Sequence, residues 1–405
     1  MKRTITVLLT IIIIVSICVI NVDADASKME QYIDAYKKGD FVKANDIAYE
    51  LPVNAKSYNS YMSAGMKNAY LKKILSTNKV DSYYLVDITG DKKPELFIKT
   101  GVYISDQFYY VFKYYKGKVV KIGKFRGGHC YLSDYPGEKA VLSAYDFLGY
   151  FNLSLVKYEN GQVKSNLINS CDFENTPCPI VPYQLKSYSG DSYGKYNLSP
   201  FAAKNTKTVK NAKKKINKLV KRFNPAIFRL YPKTKKIKLS AKNKTILATL
   251  SVDQNNSNAH IGNGDHTKYS LVYMKKSYIK REYKNLFGGK PAFNKLSKKY
   301  KKNTKNSIGN LVIKVKKHIG CNSELWKKDV YDNGITYKTA KVECIRKIKG
   351  GYRVAVAHYM TTYYDNSKPS DETFAHTFID VKKNKKSKYK YVIKKINSVV
   401  YCSKV

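Results

Sequence analysis

The sequence predicts an α+β fold in which helical and strand-forming segments occupy separate stretches of the chain. Three patterns predict it: apolar residues at helical spacing near the N-terminus and again after residue 204, short strand-like runs separated by turn residues, and longer strand-like runs near the C-terminus. The chain of 405 residues is expected to divide into five segments. They are a signal peptide (1–26), a helical N-terminal unit (27–79), a β-rich domain with a trailing irregular loop (80–203), a basic helix with a mixed α/β segment (204–305) and a C-terminal α+β sheet domain (306–405).

The first segment has the organisation of a secretory signal. Lys2 and Arg3 give it a positive start, Thr4–Val22 carry no charge, and Ala24-Asp25-Ala26 form the small-x-small pattern that signal peptidase recognises. We expect cleavage after Ala26 and a secreted or cell-surface protein. The alternative is an uncleaved anchor, because the uncharged stretch reaches the length of a short spanning helix. Only this segment would then contact the membrane.

The charge of the chain predicts attraction to polyanions. The net charge is +45, and only seven of the 75 basic residues are Arg, so the positive groups are mostly the solvated point charges of Lys. In an exported protein the available polyanions are anionic wall polymers, acidic glycans and anionic lipid surfaces, whereas nucleic acid is not an expected partner. A genome rich in A and T would also produce much of this lysine content, so both origins of the charge stay open.

Six cysteines remain after the expected cleavage, and an even number in an exported protein favours disulfides. They are Cys130, Cys171, Cys178, Cys321, Cys344 and Cys402. Cys171 could pair with Cys178 across a short loop and Cys344 with Cys402, which would leave Cys130 and Cys321 for each other. The pairing is not fixed by the sequence, and the alternative is that several of them stay reduced and buried.

The first half of the mature chain is predicted to change from helices to strands near Tyr83. Met29, Tyr32 and Tyr36 recur at helical spacing, and residues 55–75 repeat the pattern. The following runs are rich in β-branched and aromatic residues, and turn signals such as Glu159-Asn160-Gly161 separate them, which predicts an antiparallel meander of about six or seven strands. Residues 164–203 are polar and are expected to form a loop or linker.

The helical middle begins with a strongly basic helix that starts at Thr206 or Thr208 and ends before Pro225. Its apolar stripe consists of Val209, Ala212, Ile216, Leu219, Val220 and Phe223. Such a helix either lies on an anionic surface or docks on a sheet, and the docked arrangement is favoured. A second helix is predicted at Ser277–Phe287, and residues 245–252 fit either a helix or a strand.

The C-terminal region is predicted to form an antiparallel sheet. Its strands are expected at Leu311–Val315, Ile335–Ile348, Tyr352–Tyr363, Phe374–Val381 and Tyr389–Val400. A helix followed by long antiparallel strands resembles the NTF2-like fold in topology, which implies a cone-shaped α+β domain. The chain as a whole resembles uncharacterised exported proteins of low-GC Gram-positive bacteria, a resemblance that implies no function.

One motif suggests a metal. Asp87-Ile88-Thr89-Gly90-Asp91-Lys92-Lys93-Pro94-Glu95-Leu96 lies between two apolar strands and resembles the calcium loops of FG-GAP and VCBS repeats. The resemblance implies Asp87, Thr89, Asp91 and Glu95 as oxygen ligands of calcium. The segment departs from the family pattern at Thr89, where Asp or Asn is usual, and at Lys92, where Gly is usual. The alternative is a turn in which these side chains bond the backbone.

Two histidines suggest a pocket. If the segments at 352–363 and 374–381 form a hairpin centred near residue 367, His358 and His376 face each other, with Asp380 on the same side as His376. Such a pair could begin a metal or acid–base site, or it could be a hydrogen-bonded pair that lines the interior. No catalytic residue is predicted.

The expected function is that of an exported, non-catalytic binding protein for anionic polymers or glycans, since aromatic faces suit sugars and lysines suit anions. The alternatives are an extracellular hydrolase-like domain with a pocket in the C-terminal sheet and a membrane-acting basic effector. Convergence of His358, His376 and Asp380 in a cavity would favour the hydrolase-like domain. Burial of the same residues, with their hydrogen-bonding groups satisfied by one another, would favour binding.

Overall fold

The computed structural model describes residues 26–55, 57–58, 61–77, 79–101, 103–136, 138–172, 179–189, 197–228, 237–255, 260–266, 269–298, 312–315, 318–322, 335–362 and 370–401. The chain forms two compact units, Met1–Ser192 (unit 1) and Tyr193–Val405 (unit 2). Each combines helices with antiparallel sheets, so the predicted α+β fold class is confirmed. The predicted signal peptide lies outside the described residues except for Ala26, and cleavage after Ala26 would leave the buried residues Met29, Tyr32 and Tyr36 in place.

Unit 1 begins with helices and continues with strands. Its helices are residues 26–37 (α1), Phe41–Tyr49 (α2) and Ala64–Leu75 (α3). Its strands are Val80–Val86 (β1), Glu95–Thr100 (β2), Phe108–Tyr115 (β3), Lys118–Arg126 (β4), Cys130–Asp134 (β5), Ala140–Phe147 (β6), Tyr150–Glu159 (β7), Gln162–Asp172 (β8) and Tyr188–Ser189 (β9). A short 3₁₀ turn at Ile104–Asp106 precedes β3.

The strands of unit 1 form two sheets rather than the single predicted meander. Their orders are β4-β3-β2-β1-β9 and β5-β6-β7-β8. The sheets pack face to face through apolar side chains such as Phe97 and Val111 from one and Leu132 and Val141 from the other. At Gly123 a Cβ atom would lie 2.5 Å from Cβ of Val163, so the close approach of β4 and β8 requires glycine.

The helices of unit 1 pack against parts of the outer faces of the two sheets. Met29 and Tyr36 of α1 pack with Phe151 of the four-stranded sheet. On the five-stranded sheet, the hydroxyl of Tyr70 in α3 donates to the carbonyl of Pro94 at 2.9 Å. The side chain of Ser63 accepts from the amide of Met66, so α3 begins there and is shorter than the predicted helix at 55–75.

Strand β8 corrects the predicted loop at 164–203. Residues 162–172 pair with β7 along their whole length. The strand lies at the edge of its sheet, and most of its side chains are exposed, so a polar composition is compatible with strand structure there.

Unit 2 has the same mixture of elements in a different order. Its helices are Lys207–Phe228 (α4), Ala241–Asn255 (α5) and Lys276–Phe287 (α6). Its strands are His260–His266 (β10), Tyr269–Met274 (β11), Val312–Val315 (β12), His318–Asn322 (β13), Ile335–Ile348 (β14), Gly351–Thr362 (β15), Ser370–Lys383 (β16) and Tyr391–Tyr401 (β17). The sheet orders are β10-β11-β13-β12 and β14-β15-β16-β17, and all paired neighbours are antiparallel.

Helix α4 docks on the sheet β14–β17, as favoured from its apolar stripe. Ile216 and Phe223 are fully buried in the same core as Val354 of that sheet. The side-chain oxygen of Asn217 accepts from the amide of Val342 at 2.7 Å, which ties the helix to β14. The N-cap is Thr206, whose hydroxyl accepts from the amide of Val209.

The structure of unit 2 corrects two local predictions and decides a third. Helix α4 continues through Pro225 instead of ending before it. Residues 245–252 belong to α5, which settles their ambiguity as a helix. His260 and His266, which look like loop residues in the sequence, belong to β10, whose backbone pairs with β11. None of the helices in the described parts of the chain is long and apolar enough to cross a membrane.

The cysteines that the structure describes are buried, and no disulfide joins any two of them. They are Cys130, Cys171, Cys321 and Cys344. Cys130 packs between the two sheets of unit 1, whereas Cys171 faces the helices and lies 3.8 Å from the hydroxyl of Tyr36. Cys178 and Cys402 lie outside the described residues, so the pairs predicted for them remain predictions.

Candidate functional site

The turn between β1 and β2 is closed by the carboxylate of Asp87. Oδ1 accepts from the amides of Thr89 at 3.1 Å and Gly90 at 2.8 Å, and Oδ2 accepts from the amide of Lys92 at 2.7 Å. The side chain of Asp91 likewise accepts from the amide of Lys93. This is the backbone-bonded turn that was the alternative to a calcium loop.

A lysine from the next strand lies among the remaining oxygens. Nζ of Lys113 in β3 is 3.2 Å from Oγ1 of Thr89 and 3.4 Å from Oδ2 of Asp91. Glu95 is 1% exposed, and its carboxylate accepts from the amide of Ile88 and the hydroxyl of Thr89. Burial, and then the charge of Asp87, raise the pKa of Glu95 to about 8, against the opposing effects of the Ile88 amide and Lys113.

These four residues do not fit calcium in this geometry. Calcium needs ionised carboxylates turned inward around one point. Asp87 instead uses both oxygens on backbone amides, Glu95 has a pKa that favours its neutral form at neutral pH, and the ammonium of Lys113 lies beside Asp91 and Thr89. Within the described residues, no group of three or more His, Cys, Asp or Glu side chains is arranged to hold a metal ion.

Asp87→Ala is expected to destabilise unit 1 by about 2 kcal/mol, because three backbone amides lose a charged acceptor. Asp87→Asn keeps one oxygen acceptor and should lose about half as much. Urea unfolding followed by circular dichroism measures both. Equal stability of Asp87→Ala and the wild type, with or without added calcium, would show that the turn does not depend on this carboxylate.

His358 lies in a fully buried and hydrogen-bonded position between α4 and the sheet. Nδ1 is 2.7 Å from Oδ1 of Asn224 in α4, and Nε2 is 2.8 Å from Oγ1 of Thr377 in β16. Burial, followed by the charge of His376, lowers the pKa of His358 to about 3, so its imidazole is neutral at physiological pH. The residue fastens the helix to the sheet.

His376 lies on the opposite face of the sheet, which corrects the predicted facing pair. His358 is opposite Ala375, and His376 is opposite Ala357, so the register differs by one residue from the predicted one. A β-bulge follows His358, and a shift of one residue exchanges the two faces of a strand. Nδ1 of His376 is 3.3 Å from Oε2 of Glu343.

Asp380 shares the face of His376, as predicted, but is held by another residue. Its carboxylate receives two hydrogen bonds from the guanidinium of Arg353, at 2.7 and 2.9 Å, and one from Asn397 at 3.1 Å. Four residues along a strand separate Asp380 from His376 by about 13 Å. The three predicted pocket residues therefore have separate partners and do not converge on one reacting atom.

Comparison with protein-family models, curated proteins and solved structures finds no match. The resemblances to FG-GAP and VCBS loops and to the NTF2-like fold therefore stay predictions.

The most distinctive surface of unit 2 is a lysine ridge on the solvent side of α4. It consists of the exposed residues Lys207, Lys210, Lys214, Lys218 and Lys221. Their spacing of three or four residues places them in one row, which extends for about 21 Å along the helix. The helix contains no Asp or Glu, and none of these lysines pairs with a carboxylate in the described part of the structure. The sequence indicated a basic helix. Because the apolar stripe of α4 packs on the sheet, the structure shows that these lysines face solvent.

Proposed function

We propose that the protein is an exported, non-catalytic binding protein for anionic polymers, including acidic glycans, at the cell surface or in the medium. The observation that supports this most directly is the lysine ridge of α4 (Lys207, Lys210, Lys214, Lys218 and Lys221). An uncompensated row of positive charge attracts a chain of negative charges and releases its counterions on binding. The net charge of +45 adds a long-range attraction of the same sign.

The alternative functions receive less support from the same residues. A membrane-acting helix must present its apolar stripe to lipid, but Ile216, Leu219 and Phe223 of α4 are fully buried against the sheet. A hydrolase needs acid–base groups that meet at one reacting atom, and His358 and His376 lie on opposite faces of their sheet. A binding role needs neither arrangement.

The mature chain, residues 27–405, is expected to be retained by an anionic wall fraction at low salt and released at high salt. The triple variant Lys210→Gln, Lys214→Gln, Lys218→Gln should lose at least about tenfold in affinity at about 50 mM salt, because each lost contact removes one released counterion. The slope of log affinity against log salt should fall by about two to three. Isothermal titration at several salt concentrations measures both quantities.

A matched control removes the same charge elsewhere in unit 2. Lys385, Lys386 and Lys388 are exposed in the turn between β16 and β17, and their triple change to Gln also lowers the net charge by three. The control should keep most of the affinity. If the control and the ridge variant lose the same amount, binding follows net charge alone and the ridge has no special role. If the wild type is not retained at low salt, the proposed function is wrong.

A further inference from the structure

The outer face of β3 and β4 in unit 1 carries a row of aromatic rings, each with a lysine ammonium above it. Nζ of Lys124 is 5.2 Å from the ring centre of Phe108, and Nζ of Lys121 is 4.7 Å from that of Tyr110. Nζ of Lys73, which reaches over from α3, is 4.4 Å from the ring centre of Phe112. We call these six residues the ring–ammonium row.

The strand geometry makes the row regular. Phe108, Tyr110 and Phe112 are alternate residues of β3 and therefore share one face, with successive rings about 7 Å apart. Lys124 is directly opposite Tyr110, and Lys121 is directly opposite Phe112, so each lysine of β4 leans over the neighbouring ring. Their ammonium groups are thereby held in a line along β3 instead of moving freely in solvent.

Among the described residues, no carboxylate balances the positive charge of the row. Helix α3, β3 and β4 contain no Asp or Glu, and no described carboxylate forms an ion pair with Lys73, Lys121 or Lys124. Lys73 is half-buried, and burial followed by the charge of Lys121 lowers its pKa. Two ammonium groups that repel each other at a partly desolvated position would both gain from a shared anion.

We infer that the ring–ammonium row is a second polyanion site, which binds a linear phosphodiester polymer lying along β3. The inference rests on the proposed function and adds a ligand class and a location to it. Three charges in a line suit a polymer with repeated single charges better than a compact anion, which would reach only one or two of them. A lysine ammonium binds phosphate as a point charge, which suits the single charge of each phosphodiester unit.

The rings act as positioning residues in this site. A lysine held over an aromatic face loses less side-chain freedom when it binds an anion than a fully mobile lysine does. Removal of a ring should therefore weaken binding although no charge is removed and the ring need not contact the polymer. An ordinary solvated lysine face would not respond to such a neutral change.

The test uses the mature chain with poly(glycerol phosphate) as the probe. Tyr110→Leu should lower the affinity about threefold, and Tyr110→Leu with Phe108→Leu about tenfold, with the number of released counterions unchanged. Tyr110→Phe keeps the ring and should bind like the wild type. Lys121→Gln with Lys124→Gln should lower both the affinity and the salt slope. Circular dichroism confirms that each variant is folded.

The outcomes separate this inference from the proposed function. Wild-type affinity in the folded double ring variant overturns the positioning role of the row. Tighter binding of polygalacturonate, a carboxylate polymer, than of poly(glycerol phosphate) overturns the ligand class. In both cases binding that depends on the α4 ridge would leave the proposed function intact, whereas failure of the wild type to bind either polymer at low salt would overturn both.

Discussion

Glu95→Gln is expected to stabilise unit 1 by about 3 kcal/mol at pH 7. The side chain is 1% exposed, and burial raises the pKa of its carboxyl from 4.5 to about 8. At pH 7 the unfolded chain carries an ionised Glu95, whereas the folded chain must take up a proton, and each unit of pKa difference is worth about 1.4 kcal/mol. Glutamine is neutral in both states and can still accept from the amide of Ile88 and donate to Thr89.

The pH dependence of this effect has a definite sign. The folded pKa lies above the unfolded one, so the contribution of Glu95 to stability is fully present below pH 4.5 and is lost as the pH rises through about 8. The wild type should therefore lose stability in unit 1 between these values. The Gln variant should show a flatter profile, and the two should converge below about pH 4.5.

Hydrogen exchange of the mature chain, followed by mass spectrometry of peptides from residues 80–100, localises the change to unit 1. The exchange rates are compared in excess calcium and in excess chelator. Slower exchange in Glu95→Gln at pH 7, equal in both conditions, is the expected result. If calcium protects the wild type from exchange and the variant loses that protection, Glu95 is a calcium ligand. The description of residues 87–95 as a turn held by backbone hydrogen bonds would then be wrong.

The elements that the sequence predicted are those whose consecutive residues carry a helix or strand pattern with clear end signals. The strand expected at Ile335–Ile348 has the same bounds in the structure, and α6 ends where Gly288 adopts a positive φ of 72°. Strand β10 was missed because its sequence from His260 to His266 contains two glycines, an Asn and an Asp. Backbone hydrogen bonds pair it with β11, and such bonds leave no alternation of apolar and polar residues in the sequence.

The candidate sites depend on register, which single-sequence reasoning cannot fix. A bulge after His358 displaces one strand by a residue and places His376 on the other face. Lys113 reaches the Asp87 turn only because β3 lies beside β2. The alternation of Phe108, Tyr110 and Phe112 is visible in the sequence, but the ammonium groups come from α3 and β4, and only the tertiary structure brings them over the rings.

Unit 2 is expected to respond to acid in the opposite direction from the Glu95 effect, because of His358. Its side chain is completely buried, and its folded pKa of about 3 lies below the ordinary value of 6.5. The neutral ring binds Asn224 and Thr377, so protonation would place an uncompensated charge between α4 and the sheet. The contribution to stability is fully present above pH 6.5 and is lost as the pH falls toward 3.

The free energy of unfolding of unit 2 in the wild type should thus fall by about 3 kcal/mol between pH 7 and pH 4, because each unit of pKa difference is worth about 1.4 kcal/mol. His358→Gln can keep one hydrogen bond to Asn224 or Thr377. It should be less stable than the wild type at pH 7, with little further loss down to pH 4. His318→Gln is the matched control, because His318 is exposed in β13 of the same unit and its removal should leave the acid loss unchanged.

Exchange protection of peptides from residues 351–360, compared at pH values corrected for the intrinsic exchange rate, measures this difference. If His358→Gln and the wild type lose the same stability between pH 7 and pH 4, another group controls that loss. If the acid loss disappears only in the His358 variant, the ring is neutral because it is buried. A histidine that is kept neutral to fasten a helix to a sheet cannot also serve as a proton acceptor for a substrate, and that result would remove the main residue on which a hydrolase-like function of unit 2 depends.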